Sequence, residues 1–248
     1  MTRALMVTGA SRGIGAAIAR RAAADGWAVC VNYASDRAAA EGVVAEIEKA
    51  GGRAAAIQGD VGIEKECERL FAESDRRLGP LGALVNNAGI SGPNSRIADV
   101  SGATLDAVFR TNVTGAFLAA REAVRRLSTA RGGAGGVIVN ISSGAATRGS
   151  PGEFVWYAAS KGAIDSLTIG LAKEVAREGI RVVGLAPGLT ATDFHARAGE
   201  PDRVNRMLPM VPLGRVATVE EVAGQVMFLL SDAAAYCHGS TLRAAGGL

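Results

Sequence analysis

The sequence predicts an α/β fold: one doubly wound parallel sheet of about seven strands, with helices on both faces. Short β-type runs recur along the chain, and the stretches between them carry apolar residues at helical spacing with charges on the other side. Strands separated by helix-sized crossovers pair in parallel, whereas hairpins need only a few connecting residues. A length of 248 residues suits one large shared core, so a single domain over 1–248 is expected.

The first strand, Ala4 to Thr8, ends in a glycine-rich turn before a helix over Ile14 to Asp25. The second, Ala28 to Asn32, leads to a helix over Arg37 to Ala50, and the third, Arg53 to Gly59, to one over Lys65 to Leu78. The fourth, Ala83 to Asn86, runs into Asn87-Ala88-Gly89. A Gly-rich loop, Arg131 to Gly136, precedes the fifth strand, Gly136 to Ile141, after which a helix begins near Tyr157. The sixth strand is Arg181 to Leu185, followed by Pro187-Gly188, and the seventh is Thr241 to Arg243. Such sheets bind ligands beyond the carboxyl ends of their strands, so motifs that follow strands carry the function. Ala191 to Met210, containing Pro201 and Pro209, has poor periodicity and reads as a mobile excursion above the sheet, a substrate lid over about residues 190–212.

Composition narrows the function classes. Hydrophobic residues make up 48% and charged residues 21%, which excludes a disordered or fibrous chain. The net charge of +3 is spread along the chain without a basic run that could track a phosphate backbone or an anionic bilayer, so neither nucleic acid nor membrane is an expected partner. The few apolar residues before Gly9 are too short for a signal segment or a span, and a cytoplasmic location is expected. Cys30, Cys67 and Cys237 lie far apart and read as small hydrophobes. His195 and His238 are too few and too scattered for a metal cluster or a Ser-His-Asp system, so no metal is expected.

Thr8-Gly9-Ala10-Ser11-Arg12-Gly13-Ile14-Gly15 follows the first strand and opens the first helix. Glycines there let the backbone turn sharply and approach a pyrophosphate, which the positive helix N-terminus holds. Gly9, Ser11, Arg12, Gly13, Ile14 and Gly15 are therefore the first cofactor-binding candidates, on a Rossmann-type sheet. The spacing GxxxGxG excludes the Lys-bearing phosphate loop of NTPases; the competing reading is a turn that merely connects strand to helix. An NAD enzyme usually ends its second strand in an acid that grips the ribose 2′-hydroxyl. Here that strand ends in Asn32-Tyr33-Ala34-Ser35, with Asp36 too late to be the obvious candidate. Without the carboxylate a 2′-phosphate is not repelled and Arg12 can pair with it, so NADP(H) is favoured over NAD(H); the bland alternative makes Arg12 a solvated surface charge. Asp60-Val61 and Asn87-Ala88-Gly89, after the third and fourth strands, lie where an adenine edge or a nicotinamide ribose would pass, with turn chemistry and capping as the competing account.

Ser142-Ser143 ends the fifth strand, and Tyr157 and Lys161 stand four apart, on one helix face. A phenol is a poor proton shuttle at neutral pH, but a nearby ammonium stabilises the phenolate and makes it usable. Hydride transfer to a carbonyl needs an acid within hydrogen-bond reach, and a serine at a strand end can hold the same oxygen. Spacing alone fits an ordinary amphipathic helix; the nucleotide turn, the serine pair and Pro187-Gly188 on the same sheet edge favour the catalytic reading.

These motifs together resemble the short-chain dehydrogenase/reductase family over essentially the whole chain: the Thr8 to Gly15 turn, Asn86-Asn87-Ala88-Gly89, Asn112, Ser143, Tyr157-x-x-x-Lys161 and Pro187-Gly188. The resemblance implies a catalytic tetrad. Tyr157 would be general acid/base, Ser143 would orient the carbonyl, Lys161 would bind the nicotinamide ribose and lower the tyrosine pKa, and Asn112 would hold a water that relays protons through Lys161. By the same resemblance Asn87, Ala88, Gly89, Pro187, Gly188, Thr190 and Thr192 are nicotinamide-side contacts, and the protein is a homotetramer, with helices around Thr104 to Ala130 and Tyr157 to Glu178 forming an interface. Within the family the chain is most similar to glucose 1-dehydrogenase-like and 3-oxoacyl-carrier-protein-reductase-like members. Val183 stands where Asn is common before the Pro-Gly, and Ala244-Ala245-Gly246-Gly247 replaces a usual Asp-Gly-Gly ending. The implied activity is NADP(H)-dependent carbonyl reduction or alcohol oxidation on a small-molecule substrate. A non-catalytic regulator sensing the cofactor is the alternative, and a nucleotide-sugar epimerase ranks last, because few residues follow Pro187. Phe154 and Trp156 suit either an apolar pocket or the core.

Overall fold

A computed structural model describes residues 3–248. Its sheet has seven strands: β1 (Ala4–Val7), β2 (Ala28–Tyr33), β3 (Arg53–Gln58), β4 (Leu81–Asn86), β5 (Gly136–Ile141), β6 (Ile180–Pro187) and β7 (Thr241–Ala244). All neighbours pair in parallel, in the order β3-β2-β1-β4-β5-β6-β7. Strand residues alternate between two cores, as the period of two demands. Leu5, Val7, Val29 and Val31 face one; Ala4, Met6, Ala28 and Cys30 face the other. Because both faces are covered, β1, β2 and β4 are buried along their whole length, which explains their near-continuous apolar sequences.

Helices α1 (Gly13–Ala24) and α2 (Arg37–Lys49) cover the first face, and α3 (Glu64–Leu78) the second, through Ile18, Val43 and Phe71. The chain continues through α4 (Gly102–Phe109), α5 (Gly115–Leu127), the short α6 (Ala145–Arg148) and α7 (Val155–Val175). Two short helices, α8 (Phe194–Arg197) and α9 (Arg203–Met207), then precede α10 (Val219–Leu230), which packs beside α1. Ser101 caps α4 by accepting from Thr104 N at 3.1 Å, and Thr218 with Glu221 forms a reciprocal capping box on α10. By contrast, α1 has Arg12 at its N-cap and no side-chain cap, so its N-terminal N–H groups have no protein side chain as acceptor.

Three details differ from the sequence reading. β4 begins two residues earlier than expected, and β6 extends to Pro187. The helix expected over Thr104 to Ala130 is two helices joined by a π-helical turn, Arg110–Thr114. That wider turn places the Asn112 amide where it accepts from Ile90 N and donates to Ile90 O, both at 2.8 Å, and donates to Ser160 Oγ at 3.0 Å. Among the described residues no helix is long and apolar enough to cross a membrane.

The order of connection reverses between β1 and β4, and the crevice that reversal opens lies beyond their carboxyl ends.

Candidate active site

A cleft of about 690 Å³ runs along that edge, from Tyr33 and Asp36 at one end to Arg148, Phe154 and Arg203 at the other. Its floor is built by the turn after β1. Gly9 has φ of +61°, a left-handed conformation that a glycine adopts without penalty. A Cβ on Gly15 would sit 2.5 Å from both Asn87 Nδ2 and Gly9 O, so only glycine lets α1 begin this close to the turn. The turn is stitched to the end of β4. Thr8 Oγ1 accepts from Asn87 N at 2.9 Å and Ala88 N at 3.0 Å, while Asn87 Nδ2 donates to Thr8 O at 2.9 Å and Gly9 O at 3.0 Å.

Gly9, Ser11, Arg12, Gly13, Ile14, Gly15, Tyr33, Asn87, Ala88, Gly89, Ser143, Tyr157, Lys161, Pro187, Gly188, Thr190 and Thr192 all line the cleft. Four predicted residues lie behind it. Asn32 is buried, accepts from Gly9 N at 3.1 Å and donates to Gly59 O at 3.0 Å, so it braces the turn from below. Asp60 accepts from Gly62 N at 2.9 Å and pairs with Arg110 at 2.7 Å, while Val61 is part of the core. Asn112 is buried beneath Ile90. A Cβ on Gly89 would come within 3.4 Å of Asn112 Oδ1 and 3.5 Å of Lys161 Nζ, so glycine there keeps space open between the two groups.

Asp36 was passed over as too late in the chain, yet it lines the cleft and forms an ion pair with Arg12. It gets there as the N-cap of α2, accepting from Ala39 N at 3.0 Å, which turns its carboxylate back toward the β1 turn. Its place just before a helix start was the available signal. Arg12 also lies 3.6 Å from Asp193, so it is no free surface charge.

At the other end, Tyr157 stands in the first turn of α7 and Lys161 one turn on. Lys161 Nζ donates to Ile141 O at 2.7 Å and lies 5.8 Å from the Tyr157 ring centre. Ser143, at the tip of β5, accepts from Ala145 N at 3.1 Å. Burial pushes the Tyr157 phenol above its ordinary pKa; the Ser143 hydroxyl, in hydrogen-bond reach, and the Arg203 charge pull it back. The Lys161 ammonium, expected to supply that pull, donates to the Ile141 carbonyl. Burial takes Lys161 itself down to about 8, partly offset by Asp165.

The segment after β6 closes over this end. The Phe194 ring lies 5.7 Å from that of Tyr157, and Arg203, itself buried, pairs with Glu153 at 2.7 Å. Arg206 reaches both Glu153, at 2.7 Å, and Glu200, at 2.8 Å, and Asn94 donates to Glu200 at 2.5 Å. Residues 191–210 thus carry α8 and α9 and are tied to the loop before Tyr157. Phe154 and Trp156 share one core cluster; Phe154 also lines the cleft, and Trp156 donates from Nε1 to Ser91 O at 2.7 Å. No group of three or more His, Cys, Asp or Glu side chains among the described residues is placed to hold a metal ion.

An extended cleft with an uncapped helix N-terminus and a side-chain-free floor near one end, and a serine, a phenol and an ammonium at the other, fits a dinucleotide with its reactive ring beside Tyr157. A family model described as enoyl-(acyl carrier protein) reductase matches residues 9–248. The chain is 48% identical over 242 residues to the uncharacterized oxidoreductase YgfF of Escherichia coli, covering 98% of each. It is 38% identical to the 3-oxoacyl-(acyl-carrier-protein) reductase FabG of Staphylococcus aureus, over 100% of this chain and 98% of that one. Among solved structures, a short chain dehydrogenase from Burkholderia cenocepacia in complex with NADP superposes with a TM-score of 0.90 at 35% identity, over 99% of this chain and 97% of that one. A dehydrogenase/reductase from Sinorhizobium meliloti gives 0.91, also at 35% identity, over 100% and 95%.

Proposed function

Because the chain belongs to the short-chain dehydrogenase/reductase family and is an oxidoreductase, we propose that it moves a hydride between NADP(H) and a carbonyl or secondary alcohol, with Tyr157 as general acid/base. The carrying observation is that Ser143, Tyr157 and Lys161, from β5 and α7, meet at one end of a cleft whose other end is a phosphate-binding turn. The turn residues Ser11 to Gly15 hold the pyrophosphate, Tyr33 to Asp36 border the adenosine, and Asn87 to Gly89 with Pro187 to Thr192 border the nicotinamide. When bound, the nicotinamide supplies or accepts the hydride.

The remaining steps are the protein's own. Tyr157 Oη gives its proton to the carbonyl oxygen as that oxygen becomes a hydroxyl, and Ser143 Oγ holds the same oxygen in line. Lys161 binds the ribose and, on turning from the Ile141 carbonyl, brings its charge nearer the phenol. Asn112 and Gly89 leave room for a water, from which Lys161 recovers the proton that it passes back to the Tyr157 phenolate. Phe154 and Phe194 keep bulk water off the reacting atoms. NADP(H) is the proposed cofactor, because Arg12 stands at the adenosine end with a charge for a 2′-phosphate.

Exposed apolar side chains on α4, α5 and α7, namely Phe109, Phe117 and Ile169, support a homotetramer, which sedimentation tests. A cytoplasmic location suits the need for free NADPH and is tested by fractionation. The activity itself is tested by NADPH consumption against ketones, quinones, sugars and 3-oxoacyl thioesters. Turnover of at least one class is expected; tight NADPH binding with no turnover of any would favour a cofactor-sensing regulator instead.

A further inference from the structure

Two buried polar atoms in the cleft have no hydrogen-bond partner, Arg148 Nε and His195 Nδ1. A native fold seldom leaves such atoms unpaired, because each one costs the hydrogen bonds that it gave up in water. Arg148 ends α6, five residues after Ser143, so it belongs to the end of the cleft that holds Tyr157 and not to the phosphate-binding turn. The other cleft arginines have carboxylates: Arg12 has Asp36, Arg197 has Asp193 and Arg203 has Glu153. Arg148 has none among the described residues. The one acid near enough to favour its charge, Glu153, is already shared by Arg203 and Arg206, and the other charges acting on Arg148 are Arg203 and Arg243, both cations.

The second orphan has the same polarity. Arg203 Nη1 lies 3.5 Å from His195 Nε2. A guanidinium only donates, so Nε2 accepts, and the proton of a neutral ring sits on Nδ1. The ring is neutral: burial first, and the Arg203 charge second, hold His195 down to about 4. Both unpartnered atoms are therefore N–H donors, one of them on a cationic group, and the residues that carry them line the same cleft as Tyr157.

We propose that Arg148 and His195 form a subsite for an anionic group on the substrate, so that the enzyme acts on a carbonyl compound bearing a carboxylate or phosphate. This rests on the oxidoreductase reading above and adds the substrate's charge to it. Arg148 neutralises the anion and His195 Nδ1–H donates to a second oxygen, while Phe154, Phe194 and Leu189 face its hydrocarbon part.

The test compares 2-, 3- and 4-oxo acids with their own methyl esters as oxidants of NADPH, using the wild-type protein, Arg148→Met and Arg148→Lys. In the wild type the best acid exceeds its ester in kcat/KM by about tenfold or more, the usual scale of a charge-assisted contact. Arg148→Met brings that ratio close to one, and Arg148→Lys restores part of it. A phosphate group is read separately: inorganic phosphate inhibits ester reduction competitively in the wild type and not in Arg148→Met if the subsite takes phosphate, and in neither if it takes carboxylate alone. A wild type that prefers the ester, or an Arg148→Met enzyme that keeps the acid's advantage, overturns the proposal. If none of these compounds is turned over, the oxidoreductase reading is decided separately, by the wider panel of ketones, quinones, sugars and 3-oxoacyl thioesters. The subsite is then decided by whether the same acids change the fluorescence of bound NADPH in the wild type and not in Arg148→Met; equal binding to both overturns it.

Discussion

Arg12 and Asp36 face each other across the end of the cleft assigned to adenosine, and they form an ion pair there. A cation placed for a 2′-phosphate is thus paired with a carboxylate placed for a 2′-hydroxyl. On the proposed reading, cofactor choice turns on which of the two the ligand captures.

For NADPH to bind, Arg12 must exchange the carboxylate for a phosphate. NADPH is expected to bind more tightly than NADH, and Arg12→Ala to weaken NADPH by roughly 10–100-fold while changing NADH much less. Asp36→Asn, which leaves Arg12 unpaired and removes a repelling charge, is expected to tighten NADPH. Titration by nicotinamide fluorescence reads all three, and tighter NADH in the wild type would remove Arg12 from its role.

Tyr157→Phe deletes one hydroxyl and leaves the ring against Phe194. Turnover should fall by roughly 10²–10⁴-fold, the usual contribution of a positioned acid. NADPH affinity should stay within about threefold, since the phenol acts in the chemical step. Equal losses in both would contradict the assignment.

Gly15→Ala places a methyl against Gly9 O and Asn87 Nδ2. The Gly9 carbonyl is backbone and yields little, so the turn and the end of β4 must separate. Stability should drop by about 1–3 kcal/mol, as for other overpacked sites, and NADPH affinity should fall with it. Urea unfolding and cofactor titration check the pair; a change in neither would show that the floor is softer than its contacts imply.

His195 gives a pH signature. Its pKa is about 4 in the folded protein and near its ordinary 6.5 once unfolded. Between those values the unfolded chain binds the proton and the folded chain does not, so stability from this group is complete above about 6.5 and is lost as pH falls toward 4. Thermal midpoints at pH 7 and pH 4.5 should therefore differ less in His195→Gln than in the wild type. An equal difference in both would place the imidazole in a wetter setting.

How much the sequence revealed follows from how local each feature is. The turn from Thr8 to Gly15 and the pair Tyr157 and Lys161 could be read directly, since each is a short segment whose chemistry depends on fixed spacing within one turn or one helix face. The parallel sense of the sheet was legible in the same way, from the helix-sized crossovers between its strands. The reach of Asp36 depends on how α2 starts, and the π turn at Asn112 goes with contacts to Ile90 and Ser160, far away in the chain, so neither has a local trace. The ties between Glu153 and Arg203, and the solitude of Arg148, arise from segments about fifty residues apart and have no periodic trace. The lysine is legible only in part for a related reason: four residues along a helix fixes a shared face, but not that the Lys161 ammonium, 5.8 Å from the Tyr157 ring centre, donates to the Ile141 carbonyl.

Asp193 and Phe194 are consecutive, yet the first approaches Arg12 and the second lies over Tyr157. One short stretch of backbone therefore reports on both compartments at once. A dinucleotide that drew Arg12 onto its phosphate would loosen the contact with Asp193, the residue next to the ring that lies against Tyr157. Were occupancy of one compartment to bias the other through this stretch, the linkage would be reciprocal: the factor by which a cofactor changes substrate affinity would equal the factor by which substrate changes cofactor affinity.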